Sequence, residues 1–430
     1  MENYSIVLFI LGIMIVLSAV ATRIKVSYPI LLVTAGIGIG FLPGVPTVVI
    51  NPEIIFLIFL PPLLFDAAFN ISYKDLHKNL STVSTLAIPL VFLTTTAIAV
   101  IAHYLIPGIA WPVAFALGAI LSPPDAVAAT NVTKGLGLSH RTITILEGES
   151  LVNDASGLIA FRFAVAAITG TSFVLWKAQL QFVWVALGGI FVGICIGRIL
   201  AFFLLRVYQN NLIAISAILL SPFIAYLLAE EFHVSGVLSA VTLGITLAVH
   251  SGRLVSVETK KQNKAFWDVI IFLLNGLIFI LIGLEFPHVI KSINHTDIMP
   301  YIGYSFLIAF IMLVLRIAWI FGHSNNLKKA IDKRTQNLMG FRTRLYGDEQ
   351  IDWRNSLIIG WAGMRGIVSL ASALSLPFVL QDGSPFMQRD AVIFISIVVV
   401  LITLIVQGLT LPLLVKILNK TQHKTDNLTL

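Results

Sequence analysis

Four carboxylates, Asp66, Asp125, Glu149 and Asp154, and four arginines, Arg162, Arg198, Arg316 and Arg365, stand inside long apolar runs rather than between them. A charge at the centre of a bilayer costs a few kcal/mol even on lenient insertion scales, about 3 kcal/mol, so such residues face a protein interior and serve a purpose there. A carboxylate shielded from water can carry a proton or lend oxygens to a hard cation. An arginine at the same depth can neutralise it through a two-point contact.

Depth follows from position along each run at about 1.5 Å per residue. Asp154 lies eleven residues into its run, roughly 16 Å deep and near the midplane. Glu149 lies six residues from the basic-loop end of the same run, and Arg316 six residues from that end of a later one. Equal depth predicts a structural ion pair between Glu149 and Arg316. Asp66, five residues from the end of its run, either joins this layer as an accessory carboxylate or reaches for water. Arg198 is expected to snorkel. Arg162, eight residues beyond Asp154, either biases an outward pathway or pairs with an outer carboxylate.

The elements that must hold these groups are membrane helices. The 430 residues are 57% hydrophobic and 11% charged, with a mean hydropathy of +0.94, against about a quarter charged in a soluble domain. Apolar runs near 4–22, 27–43, 53–71, 82–106, 109–132, 143–169, 179–205, 211–229, 234–250, 266–286, 299–322, 355–380 and 390–415 give thirteen transmembrane helices. Of the 28 Lys and Arg residues, 21 fall in loops on one face, three on the other (Lys177, Lys291 and Arg389) and four inside the runs. That asymmetry predicts an outside N-terminus and a cytoplasmic C-terminus. The net charge of +7 is therefore topological, and no nucleic-acid partner is expected. The first run lacks a basic flank and cleavage site and reads as a retained helix. The polar stretch 323–354, with K-K-A-I-D-K-R, reads as a solvated cytoplasmic connector, with a surface helix as the alternative. The single Cys195 excludes an internal disulfide.

Two runs carry breaks. Ser122-Pro123-Pro124-Asp125 places two prolines in the fifth, and Gly360, Gly363 and Gly366 surround Arg365 in the twelfth. Each is fourth in a five-helix unit, about 27–169 and 234–415, and the offset of seven makes the units opposite in orientation. Inverted repeats with discontinuous helices at the midplane mark secondary transporters. Asp125 suits the N-terminal ends of such half-helices, and Arg365 the C-terminal ends.

The segments L-S-P-P-D-A-V-A-A-T (121–130), E-G-E-S-L-V-N-D-A-S-G-L (147–158) and G-M-R-G-I-V-S-L (363–370), with L-P-P-L-L-F-D-A-A (60–68) and V-Q-G-L-T (406–410), resemble the sodium/proton exchangers of the monovalent cation:proton antiporter-1 family. The resemblance implies an all-α membrane fold of thirteen helices, with crossed, unwound helices 5 and 12 and a core that moves against a dimerisation domain. It implies a homodimer in the cell membrane. By the same resemblance Asp154, beside Asn153, is the shared carrier of Na+ and H+, with Asp125 on the crossed helix and Ser150 as a coordinating oxygen. Asn153 either coordinates the ion or restrains its helix, and standing in place of a second carboxylate it implies one proton per cation, hence electroneutral exchange. Pro124 replaces the Thr that many members carry before the crossing Asp.

The expected partners are Na+ or another monovalent cation, H+ and the lipid bilayer; no cofactor and no enzymatic chemistry are expected. A K+/H+ antiporter of the same fold is the nearest rival. The sequence contexts of intramembrane aspartyl proteases are absent around Asp125 and Asp154, and no G-x-x-x-x-G-K-[ST] nucleotide motif occurs.

Overall fold

The computed structural model describes residues 2–24, 28–42, 52–133, 136, 138–169, 175–207, 210–254, 256–337, 353–380 and 383–426. They form sixteen helices: α1 (Glu2–Ile24), α2 (Tyr28–Gly40), α3 (Pro52–Asn70), α4 (Tyr73–Ala87), α5 (Pro89–Leu105), α6 (Trp111–Leu121), α7 (Ala126–Thr133), α8 (His140–Ile168), α9 (Leu175–Arg206), α10 (Asn211–Glu231), α11 (Gly236–Leu254), α12 (Val257–Ser292), α13 (His295–Asn337), α14 (Trp353–Trp361), α15 (Ile367–Leu374) and α16 (Arg389–Asp426). Among the described residues seven helical stretches, α4 and α5 counting as one, are long and apolar enough to cross a bilayer, and five shorter helices are apolar. The chain is a multi-pass, all-α membrane protein.

Helix ends follow local chemistry. Ser139 starts α8 by accepting the Thr142 amide at 3.1 Å, and Asn210 and Ser256 start α10 and α12 in the same way. Pro89 kinks the α4–α5 helix without stopping it, because the amides of Ile88 and Phe92 still reach Ser84 and Ile88.

Three boundaries differ from the hydropathy reading. The fourth run extends back to Tyr73, because its first two turns are helical but polar and carry no continuous apolar run. The stretch expected as a connector after residue 322 continues α13 to Asn337; residues 338–352 lie outside the described set. The twelfth run loses its helix at Leu374 and turns back at Gly383 (φ +78°), where Leu380 donates to Ser384 at 2.8 Å.

Packing forms two groups. In one, α11 is flanked by α3, α9 and α10, while α2 lies along α12, which packs on α15 and α16 as well as on α3 and α10 and so joins the two groups. In the other, α4 and α6 cover α8, α5 lies on α6, and α13 lies on α16. The second group holds both breaks.

Candidate ion site at two helix breaks

Helix α6 stops because Pro123 and Pro124 lack amide donors, so the helical ladder cannot continue past Ser122, which still holds helical geometry. The last helical bond runs from the Ser122 amide to Gly118 at 2.9 Å. The chain restarts as α7 with Asp125 as its cap, whose Oδ1 accepts the Ala128 amide at 3.3 Å. In the other break Gly363 to Gly366 leave the helix between α14 and α15. The two breaks are hydrogen-bonded to each other: the Asp125 amide donates to the Met364 carbonyl at 2.7 Å.

Each half-helix end meets a group of the sign its dipole requires. Arg365, 3% exposed, donates through Nε to Leu121 O at the C-terminal end of α6 at 2.6 Å, and also to the Gly363 carbonyl. Arg316 donates through Nε to Ile359 O in the last turn of α14 at 3.1 Å. Its two terminal nitrogens grip Glu149, one of them at 2.8 Å. The side chains of Arg316 and Glu149 are only 4% and 1% exposed, so these two groups of equal helix depth form a dry, bidentate pair. The Asp125 carboxylate lies at the N-terminal end of α7 and directly against Gly366, the cap of α15. A β-carbon at residue 366 would collide with that carboxylate, so the approach requires glycine.

Helix α8 supplies the remaining candidates. Ser150 Oγ accepts the Ala126 amide at the start of α7 at 3.4 Å. Asn153 is fully buried and donates to Pro124 O at 3.2 Å, while its Oδ1 has no hydrogen-bond partner among the described residues. Asp154 follows it as the next residue of α8. Asp125, Ser150 and Asn153 therefore converge on the fifth-run break, with Asp154 beside them.

Three singled-out residues lie elsewhere. Asp66 accepts from Asn70 at 2.7 Å and lines a separate cavity of about 560 Å³ with Lys74, Lys260, Lys264 and Trp267. Arg198 is exposed on α9. Arg162 pairs with Glu230 at 2.9 Å, which decides between the two roles left open for it at the level of contact.

Several partners escaped sequence reasoning. Thr403 on α16 accepts the Arg365 amide at 3.2 Å. Arg389, counted among loop residues, is 7% exposed and donates to Leu374 O and Leu376 O at 3.2 and 3.1 Å, at the C-terminal end of α15. The signal available for Thr403 was its spacing with Ser396 and Gln407, seven and four residues apart on one helical face. Among the described residues no group of three or more His, Cys, Asp or Glu side chains is arranged to hold a resident metal.

Comparisons with known proteins bear on the family and the fold. The family model described as "Sodium/hydrogen exchanger, transmembrane" matches residues 7–417. A relative from Bacillus pumilus named "Sodium, potassium, lithium and rubidium/H(+) antiporter" is 35% identical over 96% of this chain and 61% of its own length. The Bacillus subtilis relative of the same name is 36% identical, with 62% of its length covered, so the chain spans about three fifths of these relatives. The "Na(+)/H(+) antiporter ApNhaP" of Aphanothece halophytica is 34% identical over 91% of the chain and 70% of its own length. Among solved structures, the sodium proton antiporter MjNhaP1 from Methanocaldococcus jannaschii superposes with a TM-score of 0.73 at 18% identity, covering 96% of this chain and 98% of that one. The family model over residues 7–417 and relatives at 34–36% identity together show that this chain belongs to the transmembrane sodium/hydrogen exchanger family.

Proposed function

We propose that the chain is a secondary antiporter that exchanges Na+ for H+ across the cell membrane and so serves pH homeostasis, with both ions competing for Asp154. The observation that carries this reading is the convergence of Asp125, Ser150 and Asn153 on the helix break beside Asp154. A hard monovalent cation needs oxygens to replace its water. Asp154, Ser150, the unpartnered Asn153 Oδ1 and the carboxylate of Asp125 supply them. One carboxylate does not hold a cation and a proton favourably at once, so exposing Asp154 alternately to either face couples the two fluxes without further chemistry.

In the same proposal the thirteen runs are spans with the N-terminus outside and the C-terminus in the cytoplasm. The units 27–169 and 234–415 are inverted repeats that cross at the two breaks. Glu149 and Arg316 act as scaffold, Arg365 neutralises a helix end, and two copies form a homodimer. With Asn153 in place of a second carboxylate, exchange is electroneutral. K+ is a second reading for the cation, favoured by the breadth of ions in the names of the Bacillus relatives.

Everted vesicles carrying a pH-sensitive dye test the core of this reading. Asp154→Asn is expected to abolish dequenching by Na+, Li+ and K+ alike, whereas the wild-type protein responds and ranks the three. Cation-driven dequenching that survives the substitution would remove Asp154 from its role.

A further inference from the structure

Helix α8 carries two arginine–carboxylate contacts of opposite character. The dry one, Glu149 with Arg316, ties α8 to α13 within the packing group that holds the breaks. The second leaves that group. Arg162 grips Glu230 of α10 at two points, Nη2 to Oε1 at 2.9 Å and Nη1 to Oε2 at 3.1 Å, and donates to the Tyr226 hydroxyl at 3.2 Å. Glu230 Oε1 also accepts the amide of Gly236, the first residue of α11, at 3.0 Å. One carboxylate thus joins α8 to the α10–α11 turn, where His233 holds a left-handed conformation (φ +54°).

Burial separates the two contacts in kind. Breaking a desolvated pair leaves a buried charge without a partner, which keeps such a pair closed. Arg162 and Glu230 are 35% and 34% exposed, with Glu230 in the last turn of α10 and Arg162 in the final third of α8, so their charges can be rehydrated when they part. Beside this tie α8 meets α10 and α11 through apolar packing of Leu151, Ala155 and Leu158 with Tyr226, Val237 and Val241, while its main neighbours are α4 and α6. The tie therefore spans the boundary between the two packing groups, in the third of α8 remote from its Ser139 cap.

We propose that Arg162, Glu230 and Tyr226 form a latch that holds α8 against the α10–α11 turn in this conformation and must open during each transport cycle. Arg162 is a positioning residue for Asp154, eight residues away on the same helix, and contacts no transported ion. The inference rests on alternating access with α8 moving against α10 and α11.

Two measurements test it. In a Cys195→Ser background, Arg162→Cys with Glu230→Cys is bridged by a bifunctional methanethiosulfonate reagent in proteoliposomes. Exchange is expected before bridging, to fall at least about tenfold after it, and to return with reductant. Unchanged exchange in bridged protein overturns the latch. Should the double variant fail to fold, Glu230→Gln serves. A weakened half-exposed tie is expected to shift the apparent KM for the cation in opposite directions on the two faces, by about two- to fivefold, whereas a merely structural role would lower the maximal rate with no such split, and that result also overturns the proposal. Asp154→Asn is run alongside: exchange persisting there rejects the carrier assignment, while the bridging result still judges the latch.

Discussion

Arg316 satisfies three acceptors at once, two carboxylate oxygens of Glu149 and the Ile359 carbonyl, in a setting from which water is excluded. Removing one charge from such a pair leaves the other unsolvated, which typically costs about 3–5 kcal/mol. Glu149→Gln is therefore expected to lower thermal stability in detergent by an amount of that order, and adding Arg316→Met should recover part of the loss. A single substitution that costs under about 1 kcal/mol would show that the pair is not dry. The depth argument put these two residues at one level because both positions can be counted from helix ends. No such count reaches Thr403 or Arg389, whose roles depend on which helix end they meet.

Broken helices create free backbone groups that lipid does not satisfy, and the protein answers with side chains from distant segments. Gly366 is where this arrangement is tightest. Gly366→Ala is expected to abolish exchange by driving the Asp125 carboxylate from between the ends of α7 and α15, as read by the dye assay. Ser139→Ala, which removes the α8 cap at the far end of the site helix, is expected to cost about 1 kcal/mol of stability and to leave exchange measurable. Equal effects from the two substitutions would contradict a specific role for the approach at residue 366.

Both breaks were legible from Pro123, Pro124 and the glycines around Arg365, since proline and clustered glycine end helices through their own local chemistry. The polar beginning of α4 was not, and the helical stretch after residue 322 was legible only as the alternative to a connector. Helical turns outside the apolar layer carry no continuous apolar run, so hydropathy reads them as loop.

Across the whole molecule, the proposed one-for-one exchange makes a prediction that no single residue carries. With the membrane voltage clamped in proteoliposomes, the Na+/H+ exchange rate is expected to be independent of voltage. Movement of one net charge per cycle would instead be driven by about 2.3 kcal/mol per 100 mV, and a rate that rises with voltage would reject electroneutrality and with it the weight placed on Asn153. Voltage dependence would leave the ion site itself intact.

The sequence alone determined that this is a multi-pass membrane protein, which runs carry charge and where two of them break. Those features are local, because a charge in lipid or a proline in a helix stands out against its immediate neighbours. Tertiary structure decided which groups meet. Arg365 reaches a carbonyl 244 residues away and Arg162 a carboxylate 68 residues away, so that Glu149 and Arg162 tie α8 to different groups of helices. Asp66, a carboxylate much like the others when read in the chain, lies in a cavity apart from the breaks. Helix periodicity gives a residue its depth and its face, but only packing selects the helix it faces.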